Sequence, residues 1–244
     1  MRQQEPIYLQ VCAGFANRLR ATISGICAAE DAGRPIRISW PVETAFGATW
    51  TDLFDLINSR LPPWLTIEDQ HATDLKMCNS PADWEKIKGD ETIQIKSYGI
   101  FYRPNEGRWL FWLRHLKPRQ ELLYRLPVQP VGVHIRRTDH RKAIEQSPTE
   151  AFLKAMDAYP VETTFFLATD DPAERALVAK RYPGRIVGVH ATHYRRDILE
   201  GVQEAFAEFM QLAQCSKIIG SAASSFSEMA AAYGGCRLHT ITQK

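Results

Sequence analysis

Val131-Gly-Val-His-Ile-Arg-Arg-Thr-Asp139 carries a short apolar stretch straight into polar residues, and its reading decides the fold. Val131, Val133 and Ile135 alternate with Gly132, His134 and Arg136, the period of two of a β-strand. That alternation puts His134 and Arg136 on one face and turns Ile135 to the core. Arg137, Thr138 and Asp139 then fall at the carboxyl end of the strand, where open α/β sheets place their ligands. Two adjacent guanidiniums among a hydroxyl, an imidazole and a carboxylate are costly unless an anion sits with them. Arginine's planar fork suits phosphate. The stretch predicts a site for a diphosphate, that of a nucleotide sugar in particular.

Working outward toward the C-terminus, polar His140–Gln146 reads as a loop, and Ser147-Pro-Thr-Glu150 as a capping box opening a helix to Tyr159. Thr163–Thr169 is a buried strand, Asp171 opens a helix to Tyr182, and Arg185–Val189 is a strand. Arg196–Gln214 is a long helix, Lys217–Gly220 a strand, Ser221–Ser227 a small-residue loop into a helix, and Arg237–Thr242 the last strand. Strands alternating with helices imply a parallel sheet covered on both faces.

Toward the N-terminus, a proline-rich step, Pro127-Val-Gln-Pro130, sets the domain boundary, giving domains 1–126 and 127–244. Pro6–Cys12 is a strand, Asn17–Ala32 a helix ended by Gly33, and Arg34–Trp40 a strand, a βαβ opening. Gly14, Phe15, Asn17, Arg18 and Arg20 lie in or after the first strand-to-helix turn. A glycine there lets backbone approach an anion at the helix N-terminus. The plain alternative is a tight turn with solvated arginines, and the residues alone leave both open. Thr51–Leu56 reads as a short helix, Thr92–Ser97 as a strand, and Arg108–Leu116 and Pro118–Leu126 as two helices.

The chain has 244 residues, 45% apolar and 24% charged, with a net charge of +2. That excludes a disordered chain, and scattered basic residues argue against a nucleic-acid binder. No run is long enough to span a bilayer, and the N-terminus has no signal-peptide core. Cys12, Cys27, Cys78, Cys215 and Cys236 are odd in number without C-x-x-C spacing, which points to buried thiols in a reducing cytosol.

Asp170 and Asp171 at a strand end suit a divalent metal on a diphosphate. Capping by Asp171, with Pro172 first in the helix and Asp170 orienting the arginines, explains the spacing without one and is preferred. The Ser221–Ser227 loop is either a linker or an anion cradle of hydroxyls and backbone N–H groups. Glu208 lies opposite the apolar stripe of its helix, so periodicity makes it solvated.

Gly14-Phe-Ala-Asn-Arg-Leu-Arg20, the central strand motif, Phe165-Phe-Leu-Ala-Thr-Asp-Asp171 and Ile218-Ile-Gly-Ser-Ala-Ala-Ser-Ser-Phe-Ser-Glu-Met-Ala230, in this order, resemble the alpha-1,2-, alpha-1,6- and protein O-fucosyltransferase superfamily, the alpha-1,6 branch and its bacterial nodulation relatives above all. The resemblance implies a GT-B-like α/β fold of two Rossmann-type domains with parallel sheets facing a cleft, GDP-fucose as donor, and inversion without a metal. The acceptor would be a hydroxyl of a glycan or another molecule. Carried over, Arg136 grips the β-phosphate, His134 lies near the nucleotide, and Arg137 and Asp139 brace the loop. Ser224, Ser225, Phe226 and Ser227 meet the diphosphate. The family's guanine-binding aspartate falls on Glu208, one methylene longer. The family's glutamate base falls on Ile144, so Glu145 takes the role by a one-residue shift.

The resemblance makes Arg136, Glu145 and Asp139 the catalytic set. As fucose departs, negative charge grows on the β-phosphate and a fixed guanidinium stabilises it. The acceptor hydroxyl needs a base, Glu145 first and Asp139 second, because a carboxylate paired with arginines is poorly basic. The competing readings are the same fold on another nucleotide sugar and a non-catalytic nucleotide-binding module.

Overall fold

In this computed structural model residues 5–69, 73–138 and 141–242 are described, positions 58 and 142 by backbone alone. The chain forms two compact units, Met1–Arg119 with Arg196–Gln203, and Gln120–Arg195 with Glu204–Lys244.

The first unit is built on β1 (Ile7–Val11), α1 (Phe15–Ala32), β2 (Ile36–Ser39), α2 (Leu56–Ser59), β3 (Leu65–Glu68), β4 (Lys76–Met77), α3 (Pro81–Ile87), β5 (Ile93–Ser97) and α4 (Glu106–His115). Its strands lie in the order β3-β2-β1-β5-β4, every pairing parallel, with Ile7 opposite both Ile36 and Ile93. Ile7, Leu9, Ile36, Ile38 and Ile95 are wholly buried, because β-branched and aliphatic side chains pack well across a pleated surface. Helix α1 stops at Gly33, whose φ of 63° suits a left-handed cap; its N–H closes onto the Ala29 and Glu30 carbonyls.

The second unit holds β6 (Val131–Ile135), α5 (Arg141–Gln146), α6 (Thr149–Asp157), β7 (Phe165–Thr169), α7 (Pro172–Arg181), the C-terminal part of α8 (Leu199–Leu212), β8 (Lys217–Ser221), α9 (Ser225–Gly234) and β9 (Arg237–Ile241). The order β7-β6-β8-β9 is again all parallel. Val131, Val133 and Ile135 pack with Phe165, Leu167 and Ile219 against Phe152 and Met156 of α6 and Val178 of α7. On the opposite face Gly132 meets α8; a Cβ there would lie 2.7 Å from Leu212 and 3.1 Å from the Cys215 sulfur. Strand β6 has β7 on one side and β8 on the other, so its carboxyl end is a switch point where such sheets open a crevice.

Several local expectations give way. His140–Gln146 was expected as a loop, yet Arg141–Gln146 is helix α5. Ser147 does not cap α6: its hydroxyl donates to the Ile241 carbonyl at 2.6 Å and accepts from Ala222 N, and Pro148 takes the cap position without a side-chain bond. Arg185–Val189 is no strand. It pairs with Phe165 through Arg185 O and Val187 N, then leaves the sheet where Gln211 binds both backbone groups of Val189. Pro118–Leu126 keeps only a 3₁₀ turn at Gln120–Leu122, because the backbone of Lys117 and Arg119 pairs with Asp55 and Leu53. Thr51–Leu56 makes turns, and the helix begins at Leu56. Strands β3 and β4 and helix α3 add to the elements read from the pattern.

Candidate functional site

The carboxyl ends of β6, β7 and β8 bring Arg136, Asp170 and Ser221 together. Arg136 Nε donates to Asp170 Oδ2 at 3.1 Å, and the Arg136 N–H donates to Ser221 Oγ at 2.9 Å. Asp170 also accepts from Arg137 N (2.7 Å), Thr138 Oγ1 (2.6 Å) and Thr138 N (3.3 Å). Burial pushes its carboxyl up, but Arg136, Thr138 and Arg137 outweigh that and hold it below the ordinary aspartate value. Asp171 is the N-cap of α7, accepting from Ala173 and Glu174 N–H, with Pro172 at the first turn. Both carboxylates are thus engaged with protein donors. Among the described residues no group of three or more His, Cys, Asp or Glu side chains is arranged to hold a metal ion.

Arg137 turns inward. Its Nη1 donates to the Arg136 carbonyl, its Nη2 to Thr149 Oγ1, and Glu174 lies 3.3 Å away, so it braces the strand exit from behind. His134 is 4% exposed and stacks on Phe226, ring centroids 4.8 Å apart. Burial and then the Arg136 charge lower its pKa to about 3, so the imidazole is neutral. Its Nδ1 lies 3.5 Å from Ser224 Oγ.

Past β8, Ala223 takes a left-handed φ of 52° and Ser224 becomes the N-cap of α9 without a side-chain cap. The serine hydroxyls divide: Ser227 Oγ is buried and donates to the Ser224 carbonyl, Ser224 faces His134, and Ser225 and Phe226 stay partly exposed on the first turn. A helix N-terminus without a cap offers N–H groups and a positive dipole end to an anion.

Glu208 is the main departure from the periodicity. It is 4% exposed rather than solvated. Arg175 Nη2 donates to its Oε1 at 2.6 Å and Ala191 N at 2.8 Å. Burial pushes its carboxyl up to about 7, with Arg175 pulling the other way. The segment before α8 folds over the helix and covers it: Glu204 accepts from Thr192 N and His193 N, Glu208 from Ala191 N, and Gln211 from Val189 N. A helical wheel shows the face of a residue, not what later folds over it. Arg175 was not legible as a site residue for the same reason.

In the first unit Gly14 is the N-cap of α1, but the left-handed φ of 67° belongs to Ala13. Phe15 is buried and stacks on Phe54. Asn17 Oδ1 is buried with no hydrogen bond. Arg18, expected beside the donor, is fully buried. Its Nε donates to Ala13 O, Nη1 to Pro41 O and Nη2 to Glu43 Oε2, and Phe46 lies under the guanidinium at 4.5 Å. Each nitrogen meets a protein oxygen, so Arg18 braces the turn. Arg20 Nε donates to Tyr98 O. Glu145 is exposed on α5 and accepts from Arg141 Nε at 2.7 Å. Asp139 lies outside the described residues.

No protein-family model matches the chain, and neither does any curated protein sequence. Solved structures do. NodZ alpha-1,6-fucosyltransferase soaked with GDP-fucose superposes with a TM-score of 0.63 at 20% identity, over 94% of this chain and 93% of that one. A variant of Arabidopsis thaliana FUT1 in complex with GDP gives 0.60 at 15% identity, over 98% of this chain and 71% of that one. POFUT1 in complex with GDP gives 0.57 at 9% identity, over 96% and 98%. The fold is therefore the GT-B-like α/β fold of these fucosyltransferases, with two Rossmann-type domains.

Proposed function

We propose that this chain is an inverting glycosyltransferase that moves fucose from GDP-fucose to a hydroxyl of a glycan or another acceptor. The observation that carries the reading is Arg136, held by Asp170 at the carboxyl end of β6 beside the uncapped start of α9. The solved structures of this fold described above contain GDP or GDP-fucose, which supports the same donor here. In this reading the second domain, 127–244, binds the nucleotide sugar, and the first, 1–126, serves the acceptor.

As the C–O bond to fucose lengthens, the β-phosphate oxygen gains charge. A guanidinium already fixed by a carboxylate stabilises it without reorganising. The N–H groups at Ser225–Ser227 share the diphosphate charge. Neutral His134, stacked on Phe226, forms an uncharged wall near the nucleotide. Gly14, Phe15 and Asn17 are proposed as further donor contacts. Arg18 acts through them as a brace. Glu208 accepts hydrogen bonds from guanine. Glu145, exposed on α5, is the base that takes the acceptor's proton, with Asp139 in second place. The reaction needs no metal, and the free cysteines, four of the five buried, fit a cytoplasmic setting. Among the described residues no helix is long and apolar enough to cross a membrane.

A second reading, the same fold on another nucleotide sugar, is favoured by one observation, the arginine-paired glutamate at the base position. Calorimetry with GDP, ADP and UDP, followed by GDP-fucose hydrolysis, separates the two. Preference for GDP with turnover supports the fucosyltransferase. Preference for another base sinks it, and tight GDP binding without turnover over an acceptor library makes the chain a binding module.

A further inference from the structure

One side chain joins the base-recognition position to the end of β7. Arg175, in the first turn of α7, donates from Nη2 to Glu208 Oε1 at 2.6 Å and from Nη1 to the Leu167 carbonyl at 2.9 Å. Its Nε donates to Tyr194 Oη at 2.9 Å, and Nη2 also reaches the Thr169 carbonyl at 3.4 Å. Thr169 directly precedes Asp170, the residue that holds Arg136. The guanidinium is therefore shared between the backbone that sets the phosphate grip and the carboxylate at the base position. Only a planar fork spans these acceptors together.

Both hydrogen bonds to Glu208 fall on Oε1, leaving Oε2 without one among the described residues. The charged and titratable groups around it are Arg175 from α7, Glu204 one turn earlier on α8, and His190 from the segment before α8, while Tyr194 of that segment meets Arg175. His190, 4.0 Å from Oε1, is held neutral by burial and then by Arg175, its pKa lowered to about 4. Glu204 adds a like charge that disfavours ionisation of Glu208. Arg175 is thus the cation that opposes burial of this carboxylate. A buried carboxyl stripped of its cation takes up a proton. It then presents an O–H where guanine presents its own N–H donors.

We propose that Arg175 is a positioning residue for nucleobase selection, gripping Glu208 through Oε1 and the end of β7 through its carbonyls so that Oε2 is held in place as an acceptor for the paired N–H donors of guanine. The inference rests on the reading of Glu208 as the guanine acceptor. Arg175 itself touches neither the base nor the reacting atoms and acts through Glu208.

The test is calorimetry of the full chain with GDP, inosine diphosphate, ADP and UDP across neutral pH, for wild type, Arg175→Ala and Arg175→Lys. Inosine diphosphate lacks only the 2-amino group, so its deficit against GDP reads the second N–H bond to Glu208. Wild type should favour GDP over inosine diphosphate by about tenfold or more, and both variants should lose most of that preference. In wild type GDP affinity should rise with pH as Glu208 ionises at about pH 7, and Arg175→Ala should move that rise to higher pH, because Glu208 must then ionise unaided. Arg175→Lys keeps the charge and should hold the wild-type pH profile while losing selectivity. Circular dichroism establishes that each variant is folded; if Arg175→Ala is not, Arg175→Lys carries the selectivity comparison. A folded Arg175→Lys protein with the wild-type ratio of GDP to inosine diphosphate affinity overturns this inference and leaves the fucosyltransferase reading intact. A wild type without preference for GDP over ADP and UDP overturns both.

Discussion

Arg136 Nε lies 3.1 Å from Asp170 Oδ2, and that carboxylate simultaneously accepts from the backbone N–H groups of Arg137 and Thr138. The loop after β6 is thus wrapped around one carboxylate at the end of β7. Arg136, the more exposed of the two adjacent arginines, is already fixed by that carboxylate.

Arg136→Lys keeps the charge and loses the fork, and should cut turnover heavily. Arg136→Ala should lower transition-state stabilisation by roughly 3 kcal/mol. Thermal unfolding should move little in either variant, since Asp170 retains its bonds from Arg137 and Thr138. Steady-state kinetics beside a melting curve makes the check. An easily unfolded Arg136→Ala protein with normal GDP affinity would make this arginine structural.

Glu145→Gln should lower transfer by about two to four orders of magnitude and leave GDP affinity nearly intact. Single-turnover transfer and GDP titration on the same preparation read both. Near-normal transfer would hand the base role to Asp139 or to a group in the first unit.

Arg18→Ala should act on stability rather than on the donor. It removes a buried cation, strands the Ala13 and Pro41 carbonyls and leaves Glu43 with only Lys96 at 3.9 Å among the described residues, a loss of about 3 kcal/mol in urea unfolding. The Arg18 side chain is wholly buried, and burial lowers its pKa to about 10 against the pull of Glu43. A stable Arg18→Ala protein with weakened GDP binding would return this arginine to the donor.

His134 gives a pH signature. Its folded pKa, about 3, lies below the unfolded value of about 6.5, so only the unfolded chain takes up this proton between the two. Stability from this group is complete above the upper value and drains away as pH falls toward the lower. His134→Phe keeps a ring against Phe226 and should flatten that dependence by up to about 1.4 kcal/mol per pH unit. Urea midpoints collected through the acid range provide the comparison; an unchanged slope would mean that the folded protein charges His134.

EDTA should leave donor turnover unchanged, because Asp171 is spent on the α7 cap and Asp170 on Arg136 and its loop. Loss of activity restored by manganese would overturn those two assignments.

The sequence alone determined the parts governed by neighbours along the chain. The period of two around His134 set β6 and its two faces, the Asp171-Pro172 pair set the start of α7, and Gly33 set the end of α1. Each follows from local sterics or from a bond spanning a few residues. The tertiary structure decided what depends on groups far apart in sequence. Glu208 is buried because 189–193 folds back over α8, and Arg18 is buried because Pro41, Glu43 and Phe46 close on it. Ser147 spends its hydroxyl on Ile241, 94 residues away, instead of capping its own helix. Gln211 diverts Val189 from a sheet that its β-branched pattern would have let it join. Polar side chains bind whichever donor or acceptor the folded chain leaves within reach, and buried ones must find some partner. Periodicity records the face a residue occupies, while the partner that gives it a task arrives only with the fold.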